Sequence, residues 1–275
     1  MENVNEAVVR EFGEEWKKFD YGDFDHLKLE ESFQQYFDIF PWDALPSDAV
    51  GFDMGCGSGR WAMFVAPKVG TLNCIEPSDA INVAKKNLTV HGNVKFYKET
   101  TESCTISPES QDFGYSLGVL HHIPNTQEAL SDCVKLLKPG APILLYLYYN
   151  FENKPFWFRL LWKLSDYVRK VVSASPKPIK HFITTLIAFT VYLPLSRTAS
   201  LVDKLGVNVE NFPLSYYKHK PLYQCKNDAL DRFGTRLEHR FSKAEIAKML
   251  QKSGCTKIEF STSTPYWCCV AFKKS

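Results

Sequence analysis

From residue 48 onward, short apolar runs alternate with amphipathic stretches. The runs predict strands over 49–54, 71–75, 94–97, 112–119 and 142–149, the last nearly all apolar, as a strand buried on both faces should be. Between them, the pattern predicts helices over 58–69, 78–91 and 126–138. Ser78 caps the second and Gly92 stops it, and Lys138-Pro139-Gly140 stops the third. Strand–helix alternation of this kind means a parallel, doubly wound sheet. After 150 the pattern changes. Residues 156–172 form an amphipathic helix with Trp157, Leu160, Leu161, Leu164, Val168 and Val171 on one side and Arg159, Lys163, Asp166 and Lys170 on the other. Ser175-Pro176-Lys177-Pro178 breaks it, 182–195 reads as a second apolar helix, and 211–231 reads as loop. The alternation then returns as a helix over 243–252, with Ser242 and Glu245 spaced as a capping box. Strands over 257–261 and 266–272 follow as an antiparallel edge pair. Ahead of the sheet, 5–19 places Val8, Val9, Phe12, Trp16 and Phe19 at helical spacing, and Tyr21-Gly22-Asp23 breaks that helix. A second helix over 30–40 carries Phe33, Tyr36, Phe37 and Phe40 and stops at Pro41. These aromatics either pack the core or close a flap over a site in the sheet.

The domain organisation expected is an N-terminal helical flap (1–47), a Rossmann-like core (48–149 and 236–275) and a helical insertion (150–235). Composition changes this picture little: 45% apolar and 23% charged residues are ordinary for a globular protein. The formal charge of +2 argues against a dedicated nucleic-acid binder. That charge is uneven, however. Residues 150–206 hold nine Lys or Arg against three acids, a net +6, which leaves −4 for the rest. The eight cysteines show no zinc-type CxxC pairs and read as reduced core thiols. The acidic start, Met1-Glu2-Asn3-Val4-Asn5-Glu6, lacks a signal-peptide apolar region, and no apolar run is expected to reach the roughly 18 residues of a membrane span, the helix over 182–195 being short for one. The expectation is a cytoplasmic protein, with contact at the membrane periphery left open.

Candidate chemistry concentrates in Gly51-Phe52-Asp53-Met54-Gly55-Cys56-Gly57-Ser58-Gly59-Arg60, between the first strand and its helix. Glycines there permit a tight turn and let a ligand lie against bare backbone. Glu76 ends the second strand, nineteen residues after Gly57, where an acid can accept both hydroxyls of a ribose. Turn and acid together mean an adenosine-containing ligand, either a nicotinamide cofactor or S-adenosylmethionine. The two-residue glycine spacing suits a compact ligand without a pyrophosphate. The fourth strand runs into Leu117-Gly118-Val119-Leu120-His121-His122-Ile123, and a helix and two strands after the insertion complete a seven-stranded sheet.

On these residues the chain resembles the class I S-adenosylmethionine-dependent methyltransferases, and most of all the branch with a Gly-Val-Leu-His-His-Ile-Pro strand-4 exit, which includes small-molecule and lipid-quinone enzymes. The resemblance implies an α/β, seven-stranded, doubly wound fold with a substrate lid inserted after strand 5. It implies that Asp53, Gly55, Cys56, Gly57 and Gly59 hold the methionine portion of the cofactor, and that Glu76 and Pro77 meet the ribose. Thr101 and Glu102 occupy the adenine segment, while Leu117, Gly118 and Leu120 line the wall beside the sulfonium. His122, and with it His121, are candidates for a base near the reacting methyl. Trp16, Tyr21, Arg60, Tyr148, Tyr216 and Tyr217 are candidates for substrate contact. The implied reaction is in-line methyl transfer to a small hydrophobic or amphiphilic molecule, leaving S-adenosylhomocysteine and requiring no metal. The strand-4 exit lacks the Asn/Asp-Pro-Pro-Tyr type found where amino groups on bases or glutamine are methylated. No Pro-Cys dipeptide and no CxxxCxxC cluster occurs. A membrane- or partner-associated enzyme acting on a lipid-like or glycan substrate, and a non-catalytic cofactor-binding subunit, stand as alternatives. A homodimer and a membrane contact through 156–195 stay open as partners.

Overall fold

The computed structural model describes residues 3–18 and 26–275 and divides into two compact units, one of 1–150 with 237–275, the other of 151–236. In the first unit, Val50–Met54 (β1), Thr71–Ile75 (β2), Val94–Tyr97 (β3), Phe113–Leu117 (β4), Pro142–Tyr146 (β5), Cys255–Phe260 (β6) and Cys268–Lys273 (β7) form one seven-stranded sheet in the order β3-β2-β1-β4-β5-β7-β6. The strands β1 to β5 pair in parallel, and β7 runs antiparallel to both β5 and β6. This is the class I Rossmann-like arrangement. The order reverses between β1 and β4, so the loops leaving these two strands open a crevice at their carboxyl ends.

Helices Glu6–Lys18 (α1), His26–Phe37 (α2), Ala62–Val65 (α3), Ala80–Asn87 (α4), Thr126–Leu136 (α5) and Lys243–Lys252 (α10) belong to this unit. On one face of the sheet, Leu130, Cys133, Val134, Ile246 and Leu250 meet Phe52, Ile143, Leu145 and Cys269 in a continuous apolar core. The aromatics of α2 and the turn after it mostly pack inward: Phe33, Phe37 and Phe40 are buried, and Phe37 lies against Trp42 at 5.5 Å and Tyr115 at 5.3 Å. Gly51 and Gly114 leave room for the rings of Phe113 and Phe52, and a Cβ on either would overlap those rings.

Several elements differ from the sequence expectation. The first βα helix shrinks to four residues. The turn continues through Trp61, and Pro67 passes the chain into a 3-10 turn over Ala66–Lys68. The next helix starts at Ala80 and ends at Asn87; Ser78 holds its start by accepting from the Ala80 N–H, but Gly92 lies beyond its end. The fourth strand stops at Leu117 because Gly118, at φ +78°, turns out of the sheet. The second N-terminal helix begins at His26 and ends at Phe37, four residues before Pro41. Phe19 and Tyr21-Gly22-Asp23 lie outside the described residues.

The second unit contains Phe156–Ala174 (α6), Lys177–Ile187 (α7), Leu193–Lys204 (α8) and Leu222–Gly234 (α9), with a π turn over Ala188–Tyr192 joining α7 to α8. The expected loop over 211–231 is corrected here. Cys225, Ala229 and Phe233 recur every four residues and bury one face of α9 against Val172, Ala188 and Tyr192. The second apolar helix is also longer than expected: Lys177–Lys204 runs helical for 28 residues, and by length and composition alone it is apolar enough to cross a membrane.

Candidate active site

The site builds from the carboxyl end of β1. Gly55 and Cys56 N–H both donate to the Ile75 carbonyl, which pins the glycine turn to β2. Gly55, Gly57 and Gly59 hold φ of +80°, +54° and +80°, values that favour glycine. At Gly55 a Cβ would stand 2.4 Å from Val119, in the loop leaving β4, so this glycine lets the two crevice walls meet.

Two carboxyl groups lie buried beside that turn. Glu76 accepts from the Gly57 N–H at 3.1 Å and the Ser78 N–H at 2.9 Å. Burial raises its pKa, and the hydrogen bonds from Ser78 and Gly57 oppose the rise. Asp53 is only 2% exposed. Burial pushes its pKa up to about 8; the Tyr115 hydroxyl opposes this, the Glu76 charge adds to it, and Arg60 opposes it. Strand pairing sets Asp53 beside Tyr115. The two side chains face each other, yet neither Asp53 Oδ2 nor the hydroxyl completes a hydrogen bond of ordinary geometry. A buried acid with an unmatched oxygen is costly to ionise, and a bound cation would relieve that cost.

Helix α1 lies over this turn. Gly13 packs against Ser78, and the Trp16 indole sits where a Cβ on Gly57 would come within 3.0 Å. Arg60 stacks on both Trp16 and Trp61, at 5.1 and 4.4 Å. At the start of the chain, the Asn3 N–H donates to Glu102 while its side chain exchanges hydrogen bonds with the Asn125 backbone in both directions. One residue thereby ties the loop after β3 to the loop after β4.

Across the crevice, Leu120–His122 forms a 3-10 turn. His122 is nearly buried, and its Nδ1 lies 2.7 Å from the Leu237 carbonyl. A carbonyl oxygen only accepts, so Nδ1 carries a proton, and of the two ring nitrogens Nε2 is the one that can act as a base. Phe12 of α1 lies 4.8 Å from this ring. His121 is fully buried, stacks on Tyr148 at 3.8 Å and has no hydrogen-bond partner on either ring nitrogen. Burial drives its pKa well down, with the neighbouring His122 adding to the shift, so His121 stays neutral. Its surroundings are those of a packed ring. Tyr36, Trp61, Tyr146 and Tyr148 line up near these histidines: Tyr36 meets Trp61 at 5.1 Å and Tyr146 at 5.2 Å, and Tyr146 meets Tyr148 at 5.9 Å. Behind them Arg240 lies over Tyr148, bonds Glu238 at 2.7 Å and reaches the Tyr149 carbonyl.

The first unit thus gathers Asp53, Gly55, Cys56, Gly57, Gly59 and Glu76 around one turn, with Trp16 and Arg60 above it. Leu117, Leu120 and Thr101 are buried, Pro77 is half-buried, Gly118 bonds back to the Tyr146 carbonyl, and Glu102 is exposed and held by Asn3. Tyr216 and Tyr217 lie in the second unit, where Tyr217 packs edge-on against Tyr192 and Lys220 covers Tyr216. Tyr21 lies outside the described residues. Sequence reasoning missed Asn3, Tyr115, Trp61, the Glu238–Arg240 pair and the contribution of Tyr36. Of these, only Tyr36 carried a local signal, as the one polar member of the α2 aromatic row.

Residues 52–145, which span β1 to β5, match the family model for a methyltransferase domain. The chain carries a class I S-adenosylmethionine-dependent methyltransferase domain. It is 29% identical over 134 residues to a ubiquinone biosynthesis O-methyltransferase of Saccharophagus degradans, a match covering 48% of this chain and 56% of that relative's length. A ubiquinone biosynthesis O-methyltransferase of Klebsiella pneumoniae is 27% identical over 174 residues, covering 57% of this chain and 71% of the relative. A solved O-methyltransferase family protein of Burkholderia thailandensis shares the fold at a TM-score of 0.53 and 11% identity, over 93% of this chain and 59% of its own. The residues of the methyltransferase domain fit its cofactor on independent grounds. Asp53 and Glu76 are buried acids beside bare backbone, and S-adenosylmethionine is a cation with a vicinal ribose diol. Among the described residues no group of three or more His, Cys, Asp or Glu could hold a metal ion.

Proposed function

We propose that this chain transfers the methyl group of S-adenosylmethionine to a hydroxyl on a small aromatic or amphiphilic molecule. The observation that carries the reading is His122: its Nδ1 proton is committed to the Leu237 carbonyl, which leaves Nε2 as the basic atom, and the rings of Tyr36, Trp61, Tyr146 and Tyr148 stand nearby. The O-methyltransferase names of the curated relatives support an oxygen acceptor. The glycine turn and Asp53 would hold the methionine end of the cofactor, and Glu76 would accept from its ribose. Thr101 and Glu102 would meet the adenine, and Leu117, Gly118 and Leu120 the sulfonium side.

When bound, the cofactor supplies a methyl group already activated on a positive sulfur. The residues of the chain then have three tasks. The aromatic side chains orient the acceptor so that its oxygen approaches in line with the methyl–sulfur bond. Trp16, Phe12 and the rest of α1 keep water from the turn. His122 Nε2 would accept the proton of the acceptor hydroxyl as its oxygen takes up the methyl group.

Isothermal titration with S-adenosylmethionine tests the cofactor assignment. Wild type binds, and Glu76→Ala weakens binding by about tenfold or more through loss of hydrogen bonds to the ribose. A wild type that does not bind, or a Glu76→Ala that binds equally well, overturns it. The acceptor reading is tested by S-adenosylhomocysteine release with a panel of alkyl-substituted phenols and catechols. His122→Asn should lower kcat by about 100-fold or more with cofactor affinity unchanged. An equal kcat removes His122 as the base.

A further inference from the structure

Helix α6 carries apolar residues on both sides and leaves the wider apolar face uncovered. At about 100° per residue, Phe156, Trp157, Leu160, Leu161, Leu164, Tyr167, Val168 and Val171 share an arc of roughly 140°. All eight are exposed, Phe156, Tyr167 and Val171 at 70% or more. The opposite, inner side buries Val172, half-buries Phe158 and Trp162, and carries a charged cluster among them. There Asp166 bonds Arg169 at 2.6 Å and stands 3.7 Å from Arg232, while Arg169 reaches the Thr235 carbonyl. Burial opposes ionisation of Asp166, but Arg169, then Arg232 and Lys170, outweigh it and hold its pKa down. The charges of Asp166 and Arg169 are thus spent within the unit, and the wider apolar arc of α6 is left facing outward. A second exposed stripe lies along α7 and the π turn after it, where Ile179, Phe182, Leu186 and Phe189 recur at helical spacing.

Charge selects what covers these stripes. Arg159, Lys163 and Lys170 line one edge of the α6 arc, all exposed. Lys170 keeps a 3.5 Å contact to Asp166 with its side chain 65% exposed. Asp166, the one acid of α6 and α7, is drawn to Arg169. The result is an apolar face about 24 Å long with a basic border and no carboxylate on the face. Apolar rings and aliphatics between a row of Lys and Arg match an anionic lipid surface, with the chains entering the acyl boundary and the cations meeting head groups. A second copy of this chain would bring the same basic border and gain no charge complement. Helices α6 and α7 lie within one chain, so their stripes act without assembly.

We infer that the second unit docks the protein onto an anionic membrane surface through the outward faces of α6 and α7. The inference is independent of the methyl acceptor. It is tested with the full chain by co-sedimentation with vesicles of phosphatidylcholine alone and of phosphatidylcholine with phosphatidylglycerol. Wild type should pellet with the anionic vesicles at low salt and be released as salt screens the head groups. Leu160→Glu with Leu164→Glu should reduce pelleting to background. Arg159→Gln with Lys163→Gln should weaken the vesicle affinity by about 25-fold, roughly fivefold per cation. Circular dichroism and S-adenosylmethionine titration verify that each variant is folded. A folded wild type that stays in the supernatant overturns the inference, and so does a leucine variant that pellets as well as wild type. Sedimentation velocity adds one more contrary outcome: a dimer abolished by the leucine substitutions, without vesicle binding, assigns the face to a second copy instead.

Discussion

At the scale of single residues, Asp53 is the most informative group in the chain. Its pKa of about 8 means that the folded, cofactor-free protein holds a proton there which the unfolded chain gives up above its ordinary value of 3.8. The sign follows. This group's contribution to stability is full below about pH 4 and is lost as pH rises to about 8, because the unfolded chain binds fewer protons throughout that window. Denaturant unfolding of wild type and Asp53→Asn should therefore diverge in slope, with the wild type losing more stability between about pH 5 and pH 8. The same group predicts proton release. A cation bound beside Asp53 favours its ionised form, so binding S-adenosylmethionine near pH 7 should expel most of a proton. Titration in two buffers of different ionisation enthalpy reads this directly, and Asp53→Asn should erase the buffer dependence. The cysteines make a second residue-scale prediction. Cys104 alone is half-exposed and the other seven are buried, so a thiol reagent should label one site rapidly in native protein and eight in denaturant.

Elements divide by how locally they are determined. Thr71–Ile75 and Val94–Tyr97 were legible in the sequence at their observed bounds, because a short apolar run between turn residues leaves few alternatives. The same holds for Lys243–Lys252, where Ser242 and Glu245 form the reciprocal cap that their spacing announces. Helix α9 was not legible: its first buried positions, Cys225 and Ala229, are small side chains among Lys, Asn and Asp, the large Leu230 and Phe233 come only near its end, and packing against α6 and α7 selects the helix. The site divides likewise. Asp53, the glycines and Glu76 lie close in sequence and announce themselves by spacing. Asn3 meets Asn125 across 122 positions, and Tyr115 meets Asp53 only through strand register, so neither leaves a local signature. The turn itself predicts a substitution outcome. Gly55→Ala imposes a Cβ on a residue at φ +80° and drives it to within 2.4 Å of Val119. The left-handed conformation alone costs about 1–2 kcal/mol, and the overlap adds to it. A lowered denaturation midpoint together with weakened S-adenosylmethionine binding is expected, since the crevice walls must part to admit the methyl.

For the whole molecule, charge and chemistry are unevenly divided: 150–206 carries +6 against −4 elsewhere, while the buried acids lie in the methyltransferase unit. Two properties should then separate by mutation. A ligand that binds only the folded state stabilises it by mass action, by ~2.7 kcal/mol at about 100 times its Kd. S-adenosylmethionine should accordingly raise the melting temperature of wild type, and Glu76→Gln should lose most of that rise while still pelleting with anionic vesicles. Leu160→Glu with Leu164→Glu should behave in reverse, keeping the thermal shift and losing the vesicles, because these leucines are exposed on the second unit and donate nothing to the cofactor turn. Scanning calorimetry and co-sedimentation on the same two variants read both properties. If either variant loses both together while its circular dichroism stays native, docking and cofactor binding are one coupled function, and the outward face of α6 must be reassigned as part of the catalytic machinery.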